Sequence, residues 1–154
     1  RRDRQRVNSL LPPAVRHAVA AARTAGCTVV FLPRGHERHR QQSRHIVING
    51  YHCDLRIGQV SRCTTNGVRR YVWFRLDPAT ACDAWVVCVD VQGHRAIYVI
   101  PRCDWQRHTG GEMRWIFIPV TPAARIVRHG PRHFPIERYR DAWALLAQPA
   151  RAAA

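Results

Sequence analysis

The sequence predicts an α/β (α+β) fold, with one mixed central β-sheet and flanking N- and C-terminal helices. Three observations carry this expectation. Asn49-Gly50 stands between two β-rich runs, the strongest short-range signal for a two-residue hairpin. The run Ala84 to Val91, which follows Asp83, is apolar almost throughout, as expected of a central strand buried on both faces. Apolar residues also recur at helical spacing near both ends, as Val15, Ala18, Val19 and Ala22, and again as Ile136, Tyr139, Trp143 and Leu146.

In order along the chain, residues 1–8 form a basic arm. Pro12 and Pro13 suit the first turn of a helix, and Gly26 suits its end. Cys27 to Leu32 reads as a short buried strand. Pro33 to Arg44 is a polar, basic loop that carries Arg34, Arg38, Arg40 and Arg44 to the start of the hairpin. A second turn is expected around Thr65-Asn66-Gly67. Beyond it Val72, Phe74 and Leu76 alternate with Tyr71, Trp73 and Arg75; the first set suits a core, and the second suits either a covering helix or stacking on bases. After Ala84 to Val91, a turn at Gln92-Gly93-His94 returns the chain as a strand over Ala96 to Ile100. Gly110-Gly111 turns it again before a strand over Arg114 to Ile118. Pro119 to Pro135 holds four prolines and little periodicity, and is expected to be a long loop. Pro135 then opens a terminal helix, and residues 149–154 are a tail. The 154 residues fit a single domain, and a first residue of Arg rather than Met fits a piece of a longer protein.

The hairpin fixes its own register. Across a two-residue loop, Ile48 faces Tyr51, Val47 faces His52, Ile46 faces Cys53 and His45 faces Asp54. One face then carries Ile46, Ile48, Tyr51, Cys53, Leu55 and Ile57. The other carries His45, Val47, His52, Asp54 and Arg56.

Composition narrows the function classes. The chain has 25 Lys+Arg, all of them Arg, against 10 Asp+Glu, a formal charge of +15. That excess predicts an anionic partner, nucleic acid first, and DNA before RNA. Arg34, Arg38, Arg40 and Arg44, together with Arg62, Arg69 and Arg70 around the second turn, are the expected contacts, because the guanidinium fork pairs bidentately with phosphate and guanine. Without lysine there is no P-loop lysine and no Schiff-base chemistry. The six cysteines show no C-x-x-C spacing, so they read as small buried hydrophobes in a reducing compartment, the cytoplasm of a prokaryotic or phage-like system. No apolar run reaches transmembrane length, and no membrane role is expected.

His45, Asp54 and Arg56 are the candidate catalytic residues. One carboxylate and one imidazole, Asp54 and His45, can hold a divalent metal whose water attacks a phosphodiester, with Arg56 neutralising developing charge. On spacing alone, the same three residues suit a stabilising cross-strand pair with a neighbouring Arg better than a metal site.

The run Ile46-Val-Ile-Asn-Gly-Tyr-His-Cys-Asp-Leu-Arg56, followed by Ser61-Arg62, resembles the core of the PD-(D/E)XK nuclease-like superfamily. So do Val72-Trp-Phe-Arg-Leu76, Cys82-Asp-Ala-Trp-Val-Val-Cys-Val89 and Tyr98-Val-Ile-Pro101, giving a similarity over roughly Cys27 to Pro101. The resemblance implies a restriction-endonuclease-like fold, DNA contact, and Mg²⁺ or Mn²⁺ in active members. Members carry an acidic residue on one hairpin strand and a D/E-x-K tripeptide on the next. Here Asp54-Leu55-Arg56 stands at the tripeptide, with Arg replacing Lys, and His45 stands where the first aspartate is expected. The first helix has no glutamate; Glu37 falls in the following loop. Arg keeps the charge of lysine but cannot act as a neutral base.

Three readings follow. The first is a DNA-binding protein of this fold whose usual catalytic positions are altered. The second is an active Mg²⁺-dependent endonuclease using His45 and Asp54. The third is a non-enzymatic assembly module that binds RNA or an acidic protein. A homodimer or attached partner domains would fit any of them.

Overall fold

The computed structural model describes residues 11–32, 45–63, 69–77, 79–91, 94–111, 114–119 and 134–147, with the backbone alone for 59–63, 69–73, 91, 94 and 114–119. Helix α1 (Pro13–Thr24) opens behind Pro12 and buries Val15, Ala18, Val19 and Ala22 while Arg16, His17 and Arg23 stay exposed. It stops where Gly26 takes a φ of +87° and the Cys27 N–H donates to the Ala22 carbonyl at 2.9 Å, an end that needs a left-handed residue. Fully burying a valine at such a position stabilises by about 1.5–3 kcal/mol.

Five strands make the main sheet: β1 (Val29–Phe31), β2 (His45–Ile48), β3 (Tyr51–Ile57), β6 (Ala84–Val91) and β7 (His94–Pro101), in the spatial order β1-β2-β3-β6-β7. β3 and β6 run parallel and the other neighbours antiparallel, so the sheet is mixed as expected. The hairpin register is the one read from Asn49-Gly50: Ile48 opposite Tyr51, Val47 opposite His52, Ile46 opposite Cys53 and His45 opposite Asp54. Asn49 (φ 49°) and Gly50 (φ +83°) both have positive φ, the backbone of a type I′ turn.

A second sheet was not expected. Gly58, whose N–H donates to the Cys88 carbonyl at 2.9 Å, ends the β3–β6 ladder. The chain then forms β4 (Gln59–Cys63) and β5 (Arg69–Leu76), which join β8 (Arg114–Pro119) in an antiparallel sheet of order β4-β5-β8. An alternating pattern specifies a strand and its faces but not which sheet takes it in.

Both faces of the main sheet are buried. Ile46, Ile48, Cys53, Leu55, Ala84, Val86, Cys88, Ile97 and Val99 pack with α1. Trp85, Val87, Val89, Tyr98 and Ile100 pack with Phe74 and Leu76 of β5 and with α2 (Arg102–Thr109) through Trp105. Two strand readings need correction. Ile57, placed on the core face, is 51% exposed beyond the end of the core. The Cys27–Leu32 strand is an edge strand rather than a buried one, with Val30 51% exposed.

Two helical readings also change. Helix α2 went unread because only Trp105 and Thr109 of it are buried, too few to make a stripe. Its boundary signals were present: Pro101 before it, Asp104 in the first turn, Arg107 and His108 in the last, and Gly110 in the left-handed cap. The single terminal helix expected after Pro135 is instead two 3₁₀ turns, Ile136–Tyr139 and Trp143–Leu146. All four stripe residues are buried, but Ile136 and Tyr139 join the second core and Trp143 and Leu146 the first. Each pair is spaced by three, which a 3₁₀ turn brings onto one face as readily as an α-helix does. Between them Arg140 bridges Tyr98, the Asp141 N–H donates to the Ile97 carbonyl at 2.8 Å, and Asp141 turns at a φ of +48°. The segment thereby wraps the β7 edge and covers backbone groups that would otherwise invite another strand.

Candidate functional site

The hairpin places His45 directly opposite Asp54, and alternation puts Arg56 on the same face of β3. The parallel neighbour β6 sets Trp85 beside Asp54 and Val87 beside Arg56. Asp54 is therefore not at a solvated surface. Its side chain is fully buried, whereas those of His45 and Arg56 are 12% and 25% exposed. The face opposite α1 is a second packed layer, and Asp54 is one of only two buried polar residues among those described.

A buried carboxylate needs a partner. Arg56 supplies one: its Nε lies 2.9 Å from Asp54 Oδ2, a close ionic contact that is off the line of a good N–H···O bond. His45 Nδ1 lies 4.0 Å from the other oxygen, Oδ1. The three residues singled out from sequence thus come together, with Arg56 closer to the carboxylate than His45.

Residues that sequence reasoning missed surround this cluster. Asp83 clamps the start of the hairpin's second strand: its Oδ2 accepts from the His52 N–H at 2.8 Å, and its own N–H donates to the His52 carbonyl at 2.7 Å. The Asp83 carbonyl then accepts from the N–H of Arg102 at 2.9 Å, which ties α2 to the same corner. The Arg102 guanidinium lies over the Trp85 ring at 5.9 Å and donates to the carbonyls of Thr80 and Cys82. Burial pushes the Cys82 thiol up to about 11, the Asp54 charge adds to the rise, and Arg102 opposes it. Cys82-Asp83 standing just before the buried run was the available signal, and the register that sets Ala84 beside Cys53 and Trp85 beside Asp54 brings it to the site.

Arg62, Arg69 and Arg70 belong to the other sheet. The register sets Arg62 opposite Arg70 and Cys63 opposite Arg69 at one end of the β4–β5 pair. Arg34, Arg38, Arg40 and Arg44 lie outside the described residues.

Among the described residues the donor set is a poor fit to Mg²⁺ or Mn²⁺. Such ions take several oxygen ligands, with carboxylates supplying the protein's share. Here one carboxylate is in contact with a guanidinium, and no group of three or more His, Cys, Asp or Glu that could hold a metal occurs among the described residues. The cysteines of the core offer no alternative: Cys27, Cys53, Cys82 and Cys88 are buried free thiols, burial raises the pKa of Cys53, Cys82 and Cys88, and the remaining free thiol described, Cys103, is exposed on α2.

Among the described residues, no helix is long and apolar enough to cross a membrane. No family model matches the chain, and no curated protein matches it by sequence. Among solved structures the chain is similar to the bacterial homing endonuclease I-Ssp6803I, with a TM-score of 0.52 and 18% identity over 86% of this chain and 87% of that one. At that identity the likeness is one of fold: a mixed α+β, nuclease-like architecture.

Proposed function

We propose that the chain is a DNA-binding protein on a PD-(D/E)XK-like fold whose catalytic positions have been altered. One observation carries the reading. In a nuclease-like fold, the buried carboxylate Asp54 is in contact with Arg56 at 2.9 Å, so the guanidinium takes the place at which a cation would be wanted. Arg is charged at all working pH values and cannot be displaced by deprotonation. Asp54 then serves the fold, and the charge of the chain serves the partner.

The excess of Arg supports the DNA side of the reading. Neutralising phosphates releases counterions, so affinity falls steeply with salt. The register sets Arg62 opposite Arg70 across β4 and β5, and a phosphate bound there would offset the cost that like charges carry at opposite positions. The arginines Arg34, Arg38, Arg40 and Arg44 would add further phosphate contacts. Buried free thiols suit the reducing cytoplasm.

The test is duplex binding by anisotropy at two salt concentrations, run beside cleavage assays with Mg²⁺ and Mn²⁺. A protein with six to ten phosphate contacts loses about 10³- to 10⁵-fold in affinity between 50 and 200 mM salt. The expected result is strong salt dependence with intact DNA. Affinity that ignores salt would sink the DNA-binding reading. Metal-dependent cleavage that disappears in Asp54→Ala would replace it with the endonuclease using His45 and Asp54.

A further inference from the structure

The proposed duplex contacts Arg62 and Arg70 alternate onto one face of the three-stranded sheet, and the opposite face carries a different set of residues. We infer that this face is a stacking platform for an unpaired nucleic-acid strand, specifically single-stranded DNA. The placement follows from alternation and register. Phe74 and Leu76 are buried in the second core, while Arg75 between them is exposed. The Arg75 face of β5 is therefore turned away from that core. With a period of two, Arg69, Tyr71 and Trp73 stand on the same face as Arg75. The ladder with β8 sets Phe117 opposite Trp73 and Trp115 opposite Arg75. Two adjacent strands thus gather four aromatic positions and two arginines on one face.

Such a face suits unpaired bases for two reasons. Each base has a π-face that can stack on an aromatic ring whatever the sequence, and a duplex hides those π-faces within its own stack. Same-face neighbours along a strand are about 7 Å apart, and directly opposite positions about 5 Å, so neighbouring rings can take successive bases. Charge points the same way. Arg69 and Arg75 stand on this face, and the strands β4, β5 and β8 contain no Asp or Glu, so the face complements a polyanion and not another basic surface. A second copy of this chain, carrying the same +15, is a poor occupant of it. The inference does not depend on Asp54 or on cleavage, and it adds a strand-binding face to the duplex-binding reading.

The experiment uses the whole chain and a fluorescently labelled oligothymidylate, read by anisotropy and by quenching of the intrinsic tryptophan emission. Wild type is expected to bind and quench. Trp73→Leu should weaken oligothymidylate binding by about 5- to 150-fold, the loss of one base stack, and Trp73→Phe should restore most of it. Duplex affinity should change less than about twofold in either variant. Arg75→Gln, at an exposed position that keeps the fold intact should Trp73→Leu destabilise it, should reduce the slope of log K against log salt for the single strand by about 0.7. Oligothymidylate affinity unchanged in folded Trp73→Leu and in Arg75→Gln would overturn the inference. So would a shift in sedimentation mass in Trp73→Leu with oligonucleotide binding untouched, which would make the face a self-association surface.

Discussion

The two sheets differ most in how they handle charge. The strands of the five-stranded sheet hold Asp54 and Asp90 against Arg56 and Arg95, two of each sign, in contact as Asp54 with Arg56 and Asp90 with Arg95. The strands of the three-stranded sheet hold five arginines and no acid. The first is packed on both faces, where an unpaired charge would cost several kcal/mol, so the buried Asp54 has its counterpart in Arg56, while Asp90 and Arg95 meet at the exposed surface. The second carries Arg75 at an exposed position, and its strands hold no acid of their own to balance their arginines. The proposed function would thereby assign stability and recognition to different sheets, and substitutions should separate them.

The largest expected effect is in the buried sheet. Trp85 is fully buried and meets Trp105 edge-on at 6.2 Å. Trp85→Ala should cost about 3–5 kcal/mol, read as a lower urea midpoint with an unchanged m-value. A loss below about 1 kcal/mol would mean that the second face is not a true core, and the contrast between the sheets would collapse. Next comes the buried carboxylate. Asp54→Ala leaves Arg56 unpaired and should cost about 2–3 kcal/mol, less than a wholly buried pair because Arg56 reaches solvent. Adding Arg56→Leu to Asp54→Ala should recover part of that loss, and strict additivity in the cycle would break the claim that the two residues are coupled.

Alkaline pH sharpens the same contrast. Burial raises the Cys88 thiol from 9.0 to about 12, so the folded state holds a proton that the unfolded chain gives up. The contribution is fully present below about pH 9 and is lost as pH rises toward about 12. Urea midpoints should fall across that window, and Cys88→Ala should flatten the fall; an equal fall in the variant would assign the effect elsewhere. The smallest stability effect belongs to the other sheet. Arg62→Ala or Arg70→Ala should change folding stability by no more than about 0.5 kcal/mol, while lowering the duplex salt slope by about 0.9 each. A loss of several kcal/mol would show that these arginines hold the fold together instead of meeting a partner.

Local chemistry made much of this legible. Asn49-Gly50 set a register that the sheet reproduces pair by pair, because a two-residue loop leaves no freedom to slip. The Ala84–Val91 run announced a strand buried on both faces, and the Val15 stripe announced α1. Other features depended on partners far away in sequence. Asn49 is more than a turn residue: its Oδ1 accepts from the Thr28 N–H at 2.8 Å, and its Nδ2 donates to the Leu146 carbonyl at 2.7 Å, across 97 positions. The terminal stripe could not reveal that Tyr139 and Trp143 pack on opposite faces of one sheet, because spacing records which residues are apolar and not what they meet. Asp54 was found from its register, but its burial was not, since the covering layer of Trp85, Trp105 and Phe74 comes from three separate elements.

The sequence alone determined the fold class, the hairpin register, the faces of its strands and the sign and excess of charge. Each of these follows from residue type at short range or from composition. The tertiary structure alone decided that the strands divide between two sheets, that Asp54 sits inside a second core within reach of Arg56 before His45, and that the arginines of β4, β5 and β8 come together in a sheet whose strands contain no Asp or Glu. These depend on which distant segments meet. That choice comes from burying the most apolar surface while leaving no buried charge unpaired, a balance struck over the whole chain and not within any window of it.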